Sequence, residues 1–343
     1  MATEAHQAKY RTAREIRGGG AIGNLQDGIE LDIHGISTRL IAWPGNGFQT
    51  EAVHVLTIRP GQESTAYTYD VSEEAMLCLA GTGEVRLQGS WRTLRPGDLA
   101  YVPEGVPHAV RNPGSSTEDL IIVSQITPPQ LDLYDPAGFY DRTQGTFNDP
   151  TIFKATVNAH RRELPPSQMA FHDDGPEVRA QHLTKEQIRR DGALFNVYLG
   201  NEFTALGMPG RYILWPPGGT RQAGFNYVFA PAGEADPLHT HPISDECLVV
   251  WEGACEGIVA PGYTGGTWIG LDTYDAVLAP CGVLHGHRSL DTPAIMGGFA
   301  SPPQPDLLLT SGYLTDGVFR QGDFVRLEPG EVEGIAELRT PRP

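Results

Sequence analysis

The chain has 343 residues, among them 41 glycines and 28 prolines, with 40% hydrophobic and 20% charged residues. This is too apolar for a disordered chain and too rich in turn formers for a helical bundle, whereas many short strands joined by Gly/Pro turns fit it. Forty-two acidic against 25 basic residues give a formal net charge of −17, which phosphate backbones and anionic lipid repel, so neither nucleic acid nor a membrane surface is an expected partner.

Residues 1–34 read as an N-terminal arm. MATEAHQAKYRTAREIRGGG contains no apolar run, as a secretory signal would, and no stretch approaches the ~18 apolar residues of a membrane span. Cys78, Cys247, Cys255 and Cys281 form no C-x-x-C pair, so a reduced, cytoplasmic protein is expected. Residues 35–126 form a strand-rich unit in which AMLCLAG is a short apolar run closing on glycine. The texture changes over 127–190. ITPPQLDLYDPAGFYD is a Pro/Asp-rich crossing, and Thr184-Lys-Glu-Gln187 has the spacing of a capping box that opens a short helix, LTKEQIRRDG. Residues 191–303 return to strands, with GFNYVFAPAG and CLVVWEG each ending at a glycine. Residues 304–343 are a C-terminal arm. Sheet edges need protection and the Pro-rich ends can wrap a neighbour, so a homo-oligomer is expected.

The two strand-rich units are copies. At an offset of 172 residues, GISTRLIAWP (35–44) falls on GMPGRYILWP (207–216), and the register runs without a gap to Gly81/Gly253. About 11 of roughly 47 aligned positions are identical, including Arg39/Arg211, Trp43/Trp215, Glu74/Glu246 and Gly81/Gly253, where chance gives about three.

The chemistry gathers in the second copy. His239-Thr-His241 puts two imidazoles on one face of a strand, because side chains two apart point the same way. Glu246 follows after four intervening residues, and His285 follows the Pro280-Cys-Gly282 turn. Imidazoles with an optional carboxylate suit Fe, Mn, Zn, Cu or Ni, the carboxylate favouring the harder Mn and Fe(II). The first copy has Tyr67 and Tyr69 where the second has His239 and His241, and is expected to be metal-free.

Gly233-x5-His239-x-His241-x4-Glu246-x6-Gly253 resembles the first cupin motif position for position. Tyr274-x5-Pro280-x-Gly282-x2-His285 resembles the second, with Tyr274 in place of the usual glycine and Ser289 in place of a frequent asparagine. The first copy keeps the second motif in full, Gly97-x5-Pro103-x-Gly105-x2-His108-x3-Asn112, and the frame of the first motif. The resemblance covers about 35–125 and 207–300. It implies an all-β bicupin, two jelly-roll (double-stranded β-helix) barrels made by duplication, with His239, His241, His285 and Glu246 as metal ligands.

The copies control for each other. Residues shared by both serve the fold. On that ground Arg211 and Arg288 are structural, and Glu246 can be structural as well as a ligand. Arg221, Asn226, Tyr227 and His287 are peculiar to the second copy and are candidates for function: His287 as an acid/base near the metal, the other three as a substrate-binding set. Arg221 and Tyr227 share one strand parity and Asn226 has the other, so only one set can face the barrel interior.

Bicupins of this length with one intact His-x-His site resemble the gentisate and salicylate group of ring-cleaving dioxygenases. That resemblance implies Fe(II), O2 and a small hydroxylated aromatic acid, although those enzymes usually keep the working site in the N-terminal barrel. Two other readings stay open. One is a Mn- or Zn-dependent hydrolase or isomerase similar to the ureidoglycine aminohydrolase group; the other is a non-catalytic, ligand-binding cupin.

Overall fold

The computed structural model describes residues 2, 4–135, 138–147, 161–205, 208–236, 238–261 and 266–304, and three short strands at 314–315, 318–319 and 324–326. Most of the expected C-terminal arm, 304–343, lies outside the described residues. Among them the α-helices are Ala13–Gly19 and Lys185–Asp191, and the remaining regular structure is strand or short 3-10 turn. The fold is all-β, in two barrels. No described helix is long and apolar enough to cross a membrane.

One 15-stranded sheet runs through both halves, and in each half its strands pack on a small three-stranded sheet. The small sheets are Gly83–Leu87, Ser90–Leu94 and Val110–Arg111 in the first half, and Ala254–Val259, Ile269–Asp272 and His285–Ser289 in the second. The even-numbered positions of the large-sheet strands fill the barrels: Leu56, Ile58, Met76 and Cys78 in one, and Val228, Ala230, Leu248 and Val250 in the other. The odd-numbered positions are apolar too. Val53, Val55, Leu77, Phe225, Tyr227 and Phe229 form a third core between the barrels. Strands buried on both faces read as continuous apolar runs rather than as alternation.

The halves exchange strands. Ala21–Asn24, in the N-terminal arm, pairs antiparallel with Asp275–Ala279 of the second half. Ala193–Asn196 pairs in the same way with Asp98–Val102 of the first half. The arm therefore wraps this chain's own second barrel.

A helix precedes each exchanged strand, opened by a capping box on Thr12 with Glu15 or on Thr184 with Gln187. The 172-residue correspondence thus begins well upstream of Gly35, through Ala8/Ala180, Thr12/Thr184, Ile16/Ile188, Gly20/Gly192 and Asn24/Asn196. The second helix lies on the turn Pro216–Gly219. Gly219 has φ +120°, and a Cβ there would come within 2.9 Å of Ile188 Cγ2, so the contact needs glycine.

Candidate metal centre

His239 lies in the extended stretch before the strand Asp245–Glu252. Its backbone exchanges two N–H···O bonds of 3.0 Å with His285, at the start of His285–Ser289. The His241 carbonyl accepts from Gly282 N at 2.9 Å, which ties the same stretch to the turn before His285. Glu246 occupies an inward position of its strand, in line with Leu248 and Val250. One donor atom from each of His239, His241, Glu246 and His285 can be chosen so that all four lie within 4.8 Å of one another. Ligands about 2.1 Å from a metal stand roughly 3 Å apart when adjacent and about 4.2 Å when opposite, so this spread is of the right size. His241, Glu246 and His285 are almost fully buried and His239 is half-buried.

The hydrogen bonds set the imidazole rings, as they set His108 against Val106 and Glu74 in the first barrel. His285 Nδ1 lies 2.9 Å from the Val283 carbonyl, which can only accept, so the ring proton belongs on Nδ1. The lone pair of Nε2 then faces Glu246 Oε2 at 2.9 Å, and His241 Nε2 stands 3.2 Å from the same oxygen. Burial works to raise the Glu246 pKa; with protons on the facing nitrogens of His241 and His285, their charge and hydrogen bonds outweigh it and hold the carboxyl well below the usual range. A carboxylate and an imidazole lone pair aimed at one point repel unless a proton or a metal ion sits between them. Three imidazoles and a carboxylate fit a divalent first-row metal.

The first barrel meets the same need with its own hydrogen atoms. Glu74 accepts from Tyr67 Oη at 3.0 Å and Ser124 Oγ at 2.6 Å, and His108 Nε2 lies 2.8 Å away. Tyr67 stacks on His34 with ring centroids 3.9 Å apart. Burial, then the Glu74 charge, push the Tyr67 and Tyr69 hydroxyls well above the ordinary phenol range, which keeps them neutral. The interior left beside them is about 10 Å³, room for one water at most. In strand register Ser124 corresponds to Gly298 of the second barrel, opposite Met76 and Leu248 respectively. A Cβ at Gly298 would stand 2.8 Å from Glu246 Oε1. The second barrel thus leaves bare the carboxylate edge that the first covers with serine.

Of the residues proposed for substrate, the structure brings only Asn226 inside, on the face of Val228 and Ala230, where its Oδ1 accepts from Gly298 N at 3.0 Å. Arg221 and Tyr227 are not brought to the cluster. The Arg221 side chain is half exposed and ion-paired to Glu104 of the first half, and its backbone N–H donates to Glu73 at 3.0 Å. Tyr227 is fully buried between the barrels, against Tyr198 and Phe229. His287 faces inward with His285, its Nε2 2.6 Å from Asp236 Oδ2. Burial opposes its protonation, but Asp236 and, at longer range, Glu246 raise its pKa above the ordinary imidazole value. Asp236 and Gly298 were missed in the sequence. Asp236 stands inside the first motif three residues before His239, which was a usable signal; Gly298 carried none. Trp215 and Trp251 are core, but Trp268 is half-buried and carries the Arg288 guanidinium 4.5 Å above its ring.

Residues 54–124 match the model of the Cupin domain family. Mannose-1-phosphate guanylyltransferase of Salmonella montevideo is 29% identical over 68 residues, 20% of this chain, and the match spans only 14% of that protein. The putative glyoxylate induced protein of Pseudomonas aeruginosa superposes with a TM-score of 0.53 at 14% identity, covering 82% of this chain and 88% of its own. A mutant of Bacillus subtilis oxalate decarboxylase OxdC gives 0.52 at 13% identity, covering 90% and 89%. At such identities the likeness is one of fold. The chain carries a cupin domain and folds as two cupin barrels, and the second holds a His/Glu cluster suited to a metal ion.

Proposed function

We propose that the chain is a metal-dependent enzyme working from its second barrel, and that it is an Fe(II)-dependent dioxygenase of a small hydroxylated aromatic acid, of the salicylate or gentisate kind. The observation that carries the metal is the convergence of His239, His241 and His285 on Glu246, which the first barrel, with Tyr67 and Tyr69 in place of two of the histidines, does not repeat. Iron held by His239, His241, Glu246 and His285 would offer open positions for substrate oxygens and for dioxygen, and with one carboxylate donor it would keep a net positive charge that favours an anion. Asn226 has its Oδ1 occupied by Gly298, which leaves the amide N–H2 to donate to an anionic oxygen. His287, with Nε2 2.6 Å from Asp236 Oδ2, is the acid/base candidate for the developing oxyanion. Leu238 and Leu284 adjoin two of the ligands in the chain and are 45% and 37% exposed, apolar surface that an aromatic ring would cover.

The test is anaerobic loading with Fe(II), followed by oxygen uptake with a panel of hydroxybenzoates. Uptake with at least one is expected. Turnover of another substrate with Mn or Zn, and no uptake with any hydroxybenzoate, refutes the dioxygenase reading. A second reading is a Mn- or Zn-dependent hydrolase or isomerase, since the three imidazoles suit Zn and the Glu246 carboxylate suits Mn as well as Fe(II). Metal analysis of protein purified without supplementation separates the two.

A further inference from the structure

The exchanged strands carry the same acid–amide pair at both crossings, with different surroundings. In the first half Asp98 is fully buried. Its Oδ2 accepts from Arg95 N at 3.1 Å, and its Oδ1 lies 3.4 Å from Asn196 Nδ2. The guanidinium of Arg179 closes the site, with Nη1 2.6 Å from Oδ1 and Nη2 3.5 Å from Oδ2. In the second half Asp275 takes the place of Asp98. Its Oδ2 accepts from Asp272 N at 2.9 Å and its Oδ1 from Asn24 Nδ2 at 2.8 Å. At the 172-residue offset Arg179 corresponds to Gln7. The match is structural as well, because Gln7 bridges Ile22 in parallel as Arg179 bridges Leu194. The Gln7 amide turns instead to the Ala2 carbonyl at 2.6 Å.

A cavity of about 380 Å³ opens beside Asp275, lined among the described residues by Gln7, Asn24, Gln26, Asp27 and Asp272 over an apolar wall that includes Ile22 and Ile41. That volume is in the range of small-molecule sites. In the first half the corresponding space is filled by Arg179 and by Tyr198, which stands where Gln26 stands and is itself buried. Lys9 and Arg161, the cations at the cavity, are both paired to Asp27, at 3.3 and 3.0 Å. Asp275 is only 9% exposed. Its hydrogen-bond partners are neutral, and burial raises its pKa against the weaker opposing pull of the chain's N-terminal ammonium, so a closer cation would relieve a costly charge.

We propose that this cavity is a second ligand site, separate from the metal centre, that takes a small molecule bearing a guanidinium group, with Asp275 as anchor. The ligand's planar fork takes the place that the Arg179 fork takes on Asp98, and its aliphatic body lies along the apolar wall. Isothermal titration of the full-length chain with agmatine and with methylguanidine tests this, with n-butylamine as a charge-matched comparison. Saturable binding of agmatine is expected, tighter than that of butylamine. It should weaken at least tenfold in Asp275→Asn and vanish in Gln7→Arg, which supplies the missing guanidinium from within the chain and should raise the thermal midpoint. No saturable binding of either guanidinium to the unaltered protein at millimolar concentration overturns the proposal. So does unchanged binding in Gln7→Arg, the variant that decides the matter if Asp275→Asn does not fold.

Discussion

Gly298 offers the sharpest test of the metal centre because it touches no ligand atom through a bond and yet borders the Glu246 carboxylate. A Cβ there would sit 2.8 Å from Oε1 and 3.3 Å from Cγ of Glu246, closer than van der Waals contact. The obstacle is the tip of a side chain, and Gly298 does not require positive φ, so the backbone accepts a substitution. In Gly298→Ser the carboxylate is both displaced and engaged by a hydroxyl, as Ser124 engages Glu74 at 2.6 Å. Altering the partner of a ligand typically costs 10- to 100-fold in metal affinity, about 1.4–2.8 kcal/mol. Overpacking against a movable tip costs the metal-free protein about 1 kcal/mol, roughly 2 °C in its midpoint. The assay is competition for Fe(II) or Mn(II) against a chromogenic chelator, beside thermal unfolding of the metal-free protein. Affinity within threefold of the unaltered protein, with the fold intact, would show that Glu246 is not a ligand and that the serine of the first barrel has no bearing on its metal chemistry.

His241→Ala removes a ligand from the buried side of the cluster, and metal content after dialysis should fall to background; retention at one equivalent would remove the proposed centre. Arg221→Ala should leave metal content and turnover unchanged within about twofold, because that side chain pairs with Glu104 outside the barrel; a loss of activity would restore it to the site. Arg179→Ala leaves Asp98 buried without its cation and should cost about 3–5 kcal/mol in urea unfolding; a change below 1 kcal/mol would refute the pairing. His54 is fully buried and its pKa is lowered by burial to about 4. The unfolded chain therefore takes up its proton first, and the contribution present above pH 6.5 is lost as pH falls toward 4. The unaltered protein should lose about 3 kcal/mol more between pH 7 and pH 4 than His54→Asn, measured by denaturant unfolding at both pH values; equal losses would refute it.

The duplication, the strand character and the ligand spacing were legible in the sequence because they rest on local pattern: a His-x-His on one strand face, glycines at turns, and a register held over dozens of residues. The face of the strand Phe225–Ala230 was not. Parity separates Asn226 from Arg221 and Tyr227, but the barrel interior and the seam between barrels are equally apolar, so Phe225, Tyr227 and Phe229 read as inward as readily as Val228 does. The strand exchange was hidden for a different reason. Ala21–Asn24 and Ala193–Asn196 are short, and their partners lie in the opposite half, a fact that no local pattern encodes. Their 172-residue correspondence, through Thr12/Thr184 and Asn24/Asn196, is present in the letters upstream of Gly35, but it names the duplicated strands and not their partners.

The exchange also bears on why a barrel without the histidine pair persists. Each half lends the other an edge strand and the helix before it, so neither half expressed alone would have a complete large sheet. Selection on the first half then acts on Ala21–Asn24 and on the edge offered by Asp98–Val102, and leaves the interior free to trade ligands for tyrosines. The tyrosine-filled barrel thus supplies part of its twin's sheet, whatever its own interior holds.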